Sequence, residues 1–164
     1  MAVPAGYRER LRIEGAVLAA CAVLATVAVL VAGGDEATER PWSTVIQLVV
    51  VALGMGFVGV RAVRGWVRSA RAVSVDEAGT GEPTPLWHIV AIVVVLTALL
   101  AWRSWDGALH LSLGCVVVGV FQAVVFARVV AEEEVRSGRV FVRLRGSSLR
   151  STVVGFVAGT ERPQ

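Results

Sequence analysis

The hydrophobic residues of this chain are concentrated in four long runs, separated by short polar stretches, at 13–32, 44–63, 86–102 and 108–126. Each run has 17 to 20 residues, the length at which an α-helix crosses about 30 Å of hydrocarbon. Because the bilayer interior offers no hydrogen-bond partner to the backbone, such a segment must be helical. The pattern therefore predicts an all-α integral membrane protein whose four transmembrane helices form two hairpins.

Tryptophan marks the ends of these runs. All five tryptophans lie at or near a boundary between apolar and polar sequence, at Trp42, Trp66, Trp87, Trp102 and Trp105. Indole has an apolar body and one N–H donor, so it is enriched where hydrocarbon meets water. Charged residues make up 18% of the chain, whereas soluble domains contain about 25%. Both observations indicate a chain that is mostly embedded in lipid.

The distribution of arginine predicts the orientation of the helices. All 16 basic residues are arginines, and a cytoplasmic N-terminus places fourteen of them on the cytoplasmic side, with only Arg40 and Arg103 outside. Short cytoplasmic loops retain positive charge, so both termini are predicted to be cytoplasmic. We expect a multi-pass protein of the cell membrane, most simply a bacterial inner membrane.

The predicted organisation is a four-helix transmembrane domain at 1–127 followed by a basic cytoplasmic tail at 128–164. Within the tail, 139–145 alternates between apolar and basic residues, and 150–157 is a second strand-like run. Gly146, Ser147 and Ser148 between them suit a turn, so a β-hairpin is predicted. An amphipathic helix at the membrane surface is the alternative.

Four arginines after the second apolar run are spaced three, four and three residues apart, at Arg61, Arg64, Arg68 and Arg71. This spacing places them on one face of a helix that continues two or three turns past the membrane. The stripe has three interpretations: a topogenic signal, a contact for anionic lipid headgroups, or a contact for an acidic partner. The acidic run Glu132–Glu134 of the same chain is one such partner.

Few polar residues fall inside the apolar runs. Glu14 is a candidate coupling residue, since an intramembrane carboxylate by default suggests a proton or cation site. Its position near Arg12, at the inner boundary, favours an ion pair instead. Gln47 and Gln122 are candidates for hydrogen bonds between helices. Small residues four apart, such as Gly15 and Ala19, predict close helix packing.

The sequence contains no nucleophile–base pair, phosphate-binding loop or carboxylate dyad at a recognisable spacing. His88 is predicted at the inner end of the third helix and His110 at the outer end of the fourth, so they are too far apart to share a metal ion. No catalytic residue, metal or cofactor is therefore expected, and nucleic acid is not an expected partner. The expected partners are the lipid bilayer, with its anionic headgroups on the cytoplasmic face, and another membrane protein or a second copy of the chain.

The expected function is that of a non-enzymatic accessory or scaffolding subunit. The alternative is a small oligomeric transporter or channel, which would normally require charges in the hydrocarbon that this chain almost lacks. A lipid-modifying membrane enzyme is the third hypothesis, motivated by the arginine stripe.

Overall fold

A computed structural model describes residues 6–38, 41–73, 86–143 and 154–157, which are mostly helical. The helices are α1 Tyr7–Ala37, α2 Pro41–Arg68, α3 Trp87–Arg103 and α4 Trp105–Ser137. Helices α1, α2 and α4 are long and apolar enough to cross a membrane. Helix α3 has 17 residues, which corresponds to about 25 Å.

The helix ends have local causes. Near the end of α1, Gly34 has φ 52° and ψ −132°, a conformation open essentially to glycine alone. Gly138 ends α4 with a left-handed φ of 66°, and its N–H donates to the carbonyl of Glu134. Ser104 alone separates α3 from α4, and its hydroxyl accepts a bond from the N–H of Gly107. The ends of α3 and α4 that meet at Ser104 therefore lie together. We call this end of the bundle the outer end, and the opposite end, which carries Glu132–Glu134, the inner end.

Helix α4 is the central element of the bundle, because α1, α2 and α3 all pack against it. Helix α1 runs antiparallel to α4, with Gly33 against Trp105 at one end and Gly15 against Ala123 nearer the other. Helix α2 runs parallel to α4, because Gln47 contacts His110 near one end and Arg68 contacts Glu133 near the other. Helix α3 packs against both α1 and α4. This arrangement agrees with alternating up and down helices.

The closest approach in the bundle is between the backbones of α1 and α4. A Cβ added to Gly15 would lie 2.5 Å from the backbone N of Ala123, and one added to Gly119 would lie 2.6 Å from the N of Ala19. Each helix thus presents a Gly-x-x-x-Ala pair to the other. Such pairs let backbones approach where no hydrophobic force draws helices together.

Two clusters of buried side chains close the ends of the bundle. The outer cluster joins α1 to α4 through Val29, Ala37, Ala108 and Leu109. The inner cluster combines α1, α2, α4 and the sheet described below, with buried members that include Tyr7, Leu11, Val63, Val67, Phe126, Val130, Phe141 and Val154. None of the apolar window of α2 is buried, as expected of a helix whose surroundings are lipid.

A small sheet lies at the inner end, formed by β1 Arg71–Val73, β2 Phe141–Arg143 and β3 Val154–Val157 in the order β1-β3-β2. Strands β2 and β3 pair antiparallel, as predicted for the tail, and β1 adds a parallel partner to β3. The alternative of an interfacial helix is wrong for these strands. The predicted turn at Gly146, Ser147 and Ser148 lies outside the described residues.

The sheet also corrects the prediction that Arg71 continues the arginine-bearing helix. Helix α2 ends at Arg68, and the Ser69 hydroxyl donates to the carbonyl of Trp66 at 3.1 Å. The chain then enters β1, where Arg71 is in register with Gly155. Backbone pairing with β3 replaces the helical hydrogen bonds that Arg71 would have made. At the other boundary, α4 passes residue 127 without interruption and continues to Ser137.

Candidate functional site

The inner end of the bundle carries a cluster of ion pairs centred on the acidic run of α4. Arg68 of α2 donates to Oε1 of Glu133 through Nη2 at 2.8 Å and Nε at 3.1 Å. Arg64 Nη2 lies 3.8 Å from Glu132 Oε2. From α1, Arg8 Nη1 lies 3.7 Å from Glu134 Oε2. Three helices are thereby joined electrostatically at one level.

The members of the arginine stripe have different environments. Arg68 is bonded to Glu133, whose side chain is 12% exposed, whereas Arg64 and Glu132 are about half exposed. Arg61 is exposed, and its guanidinium lies 5.4 Å from the centroid of the Phe57 ring. Within the described part of the chain, Arg61 forms no ion pair. Because Arg71 is in β1, the four arginines do not form one helical face.

Glu14 and Gln122 are brought together between α1 and α4. Glu14 Oε1 accepts from Arg10 Nε at 2.8 Å, and Oε2 accepts from Gln122 Nε2 at 3.5 Å. The carboxylate is 15% exposed and lies beside the contact of Gly15 with α4. A half-buried carboxylate is costly unless it is paired, and here an arginine and an amide supply that pairing.

Between the Gly15–Ala123 contact and the outer end, α1 and α4 are also joined by two hydroxyl groups. Thr26 Oγ1 and Ser112 Oγ lie 3.0 Å apart, and Ser112 is fully buried. One hydroxyl can donate to the other, and the accepting hydroxyl can then donate to a backbone carbonyl of its own helix. That carbonyl is the one of Ala22 for Thr26 and the one of Leu109 for Ser112. These two hydroxyl groups therefore help to hold α1 and α4 together.

A second polar cluster lies at the outer end, where α2 meets α4. His110 Nδ1 lies 2.7 Å from the carbonyl oxygen of Asp106, which can only accept, so Nδ1 carries the proton. The Nε2 lone pair then faces the hydroxyls of Ser43 and Thr44, each at 3.2 Å. Gln47 belongs to this cluster and donates to the carbonyl of His110 at 3.5 Å. Gln47 therefore joins α2 to α4, whereas Gln122 joins α4 to α1.

The contact between Ser43 and His110 was not found by sequence reasoning. A hydroxyl hydrogen-bonded to an imidazole lone pair is the geometry of a nucleophile and its base, and the Asp106 carboxylate lies 3.4 Å from Nδ1. The two residues are 67 positions apart, on helices whose pairing no local pattern reveals. The same geometry also serves as a polar clamp between α2 and α4.

Metal binding has no support in the part of the chain that the structure describes, where no three His, Cys, Asp or Glu side chains converge. His88 stacks on Trp87 with ring centroids 3.7 Å apart. His88 is the second residue of α3, at the inner end, and lies away from the cluster of His110.

Comparison of the chain with models of known protein families, with curated proteins and with solved structures gives no match. Function is therefore inferred from geometry and chemistry alone.

Proposed function

We propose that this chain is a four-span protein of the cell membrane, with both termini inside, that serves as a non-enzymatic accessory or scaffolding subunit. The observation that carries the proposal is the backbone contact of α1 with α4 at Gly15 and Gly119. Two spans that touch at this distance leave no room between them for a solute path. Thr26 and Ser112, which lie on the same two spans nearer the outer end, are bonded to each other.

The fourth crossing is supported by the connection of α3 to α4. A single residue, Ser104, separates α3 from α4, and α3 packs along α1 and α4. Its length of about 25 Å is slightly short of a 30 Å hydrocarbon core, and local thinning of the bilayer accommodates such a difference at modest cost. Exposed Trp87 and Trp102 lie at its two ends, as expected of residues at the membrane interfaces.

The lateral surface supports a role in assembly. Large apolar side chains of α2 are exposed along its length, including Ile46, Val50, Leu53 and Phe57. Such a surface is covered by lipid or by another transmembrane helix, and a scaffold uses it for the latter. The sheet at the inner end packs on α1 and α2 through Phe141 and Val154, and it offers a second surface for a partner.

The test is purification in a mild detergent followed by mass spectrometry, together with ion and solute flux in proteoliposomes. The proposal predicts a stoichiometric membrane partner and no flux. Flux that is abolished by Glu14→Gln would instead establish the transporter alternative, in which the carboxylate that contacts Gln122 couples transport.

A second candidate function is acyl transfer at the outer interface, and the Ser43–His110 contact favours it. Ser43 Oγ would attack an ester carbonyl while its proton moves to His110 Nε2. The ester C–O bond then breaks, the departing alcohol takes that proton, and a second alcohol or water removes the acyl group from Ser43. A fluorophosphonate probe decides between the candidates, because it phosphonylates an activated serine. An adduct on Ser43 that disappears in His110→Gln, but persists in Thr44→Ala, would establish the enzyme; no adduct supports a purely structural clamp.

A further inference from the structure

One carboxylate at the inner end is shared by arginines of two helices. Glu132 Oε2 lies 3.8 Å from Arg64 of α2, and Oε1 lies 3.2 Å from Nε of Arg128, one turn earlier on α4. All three side chains are exposed, by 47% for Arg64, 53% for Glu132 and 81% for Arg128. Two guanidinium groups therefore face the surroundings with a single counter-charge between them.

Arg61 adds a third guanidinium to this group. It precedes Arg64 by three residues and so lies on the same side of α2. Its depth follows from the packing of Gly59 against the Phe126 ring. Helices α2 and α4 run parallel, so Arg61 and Arg128, each two residues past that contact, lie at about the same level.

The position of Arg61 relative to the membrane follows from its aromatic neighbour. The guanidinium lies over Phe57, which is 67% exposed and belongs to the lipid-facing part of α2. A long basic side chain at a helix end extends along apolar surface to reach the headgroup layer. Arg61 has no ion pair within the described ranges, and a cation at this boundary is poorly screened. An anion there is therefore bound more firmly than in water.

We propose that Arg61, Arg64 and Arg128 bind the phosphate of an anionic phospholipid in the inner leaflet. Among the described residues, the three guanidinium groups and the Glu132 carboxylate leave a net charge of two positive units. Guanidinium matches phosphate oxygens through paired N–H donors. The acyl chains of the same lipid would lie along exposed Leu53 and Phe57 of α2, and this apolar surface favours a lipid over free phosphate. The inference requires that α2 crosses the membrane, but it does not depend on the accessory role.

The chain supplies its own matched controls. Arg68 lies on the same side of α2, but its charge is paired with Glu133 through Nε and Nη2. Arg103 is an exposed arginine at the outer end of α3. Neutralising either residue removes one positive charge without touching the proposed site.

The experiment is a titration of the detergent-solubilised full chain with phosphatidylglycerol, followed by native mass spectrometry, with phosphatidylcholine as the uncharged arm. We expect phosphatidylglycerol to bind more tightly, and Arg61→Gln, Arg64→Gln and Arg128→Gln each to weaken it about fivefold, the equivalent of about 1 kcal/mol per charge. Arg68→Gln and Arg103→Gln should stay within about twofold of the unsubstituted protein. Inorganic phosphate should not compete; displacement of the lipid by it would overturn the lipid assignment.

Glu132→Gln separates the proposal from damage to the fold. Removing this carboxylate frees the guanidinium groups of Arg64 and Arg128, so phosphatidylglycerol should bind about fivefold more tightly. A misfolded variant would not gain affinity. Weaker binding by Glu132→Gln, or equal losses in Arg61→Gln and Arg103→Gln, would overturn the proposal.

Discussion

Replacing Gly119 by alanine is expected to separate α1 from α4. The added Cβ would lie 2.6 Å from the backbone N of Ala19 and 2.7 Å from the carbonyl oxygen of Gly15. Both are backbone atoms of a packed helix, so neither can rotate away as the end of a side chain would. Relief requires the two helices to move apart.

The size of the effect follows from the distance that must be recovered. Ordinary contact begins at 3.4 Å, so the helices must separate by about 0.8 Å near Gly119. A gap of this size forfeits a quarter to a half of each dispersion contact of about 0.1–0.2 kcal/mol. Over some tens of atom pairs the loss is about 2 kcal/mol. The Thr26–Ser112 hydrogen bond, 3.0 Å long in the native protein, would also be stretched.

The assay is reversible unfolding in mixed micelles of a mild detergent and dodecyl sulfate, followed by circular dichroism. Gly54→Ala is the matched control, because a Cβ at Gly54 meets nothing within 4 Å. Alanine is the better helix former by up to about 1 kcal/mol, so the control should be neutral or slightly more stable. Gly119→Ala should be about 2 kcal/mol less stable than the control. Equal stability of the two variants would refute the backbone contact.

Two further predictions test the bundle and the sheet. A double-mutant cycle of Thr26→Val and Ser112→Ala in the same unfolding assay should give a coupling energy of about 0.6 kcal/mol, and at most about 1.7; a coupling of zero would contradict their hydrogen bond. Val142→Asp buries an unpaired carboxylate at a position that is 1% exposed, which costs several kcal/mol. Hydrogen exchange at Phe141 and Phe156 should then rise while the helices stay protected, whereas Val135→Asp, at an 85% exposed position, should change neither.

The presence and approximate positions of the helices could be predicted from the sequence, but their first and last residues could not. Hydropathy detects only what lies in hydrocarbon, so the first apolar run begins at Ile13. Helix α1 begins at Tyr7 because Tyr7 and Leu11 are buried in the inner cluster. In the same way α4 extends to Ser137, where the charged run is held by arginines of the neighbouring helices.

Which helices and strands pack together depends on pairs of residues that are far apart in the chain. Gly15 and Ala19 were recognisable as a packing signal, but the complementary pair Gly119 and Ala123 was not identified. Strand β1 has three residues, and its helix-like arginine spacing favoured the wrong structure for Arg71. Its stability comes from parallel pairing with β3, more than eighty residues later, which no local pattern encodes.

The central claim, that the chain has four spans with both termini inside, is tested most directly by cysteine accessibility at the four helix ends. Single cysteines replace Thr38, Ser69, Ser104 and Ser137, which are all exposed, in a background where Cys21 and Cys115 are alanine. A membrane-impermeant maleimide applied to intact cells should label positions 38 and 104, and should reach 69 and 137 only after the membrane is permeabilised. Labelling of position 137 from outside, or protection of position 104, would contradict the four-span account.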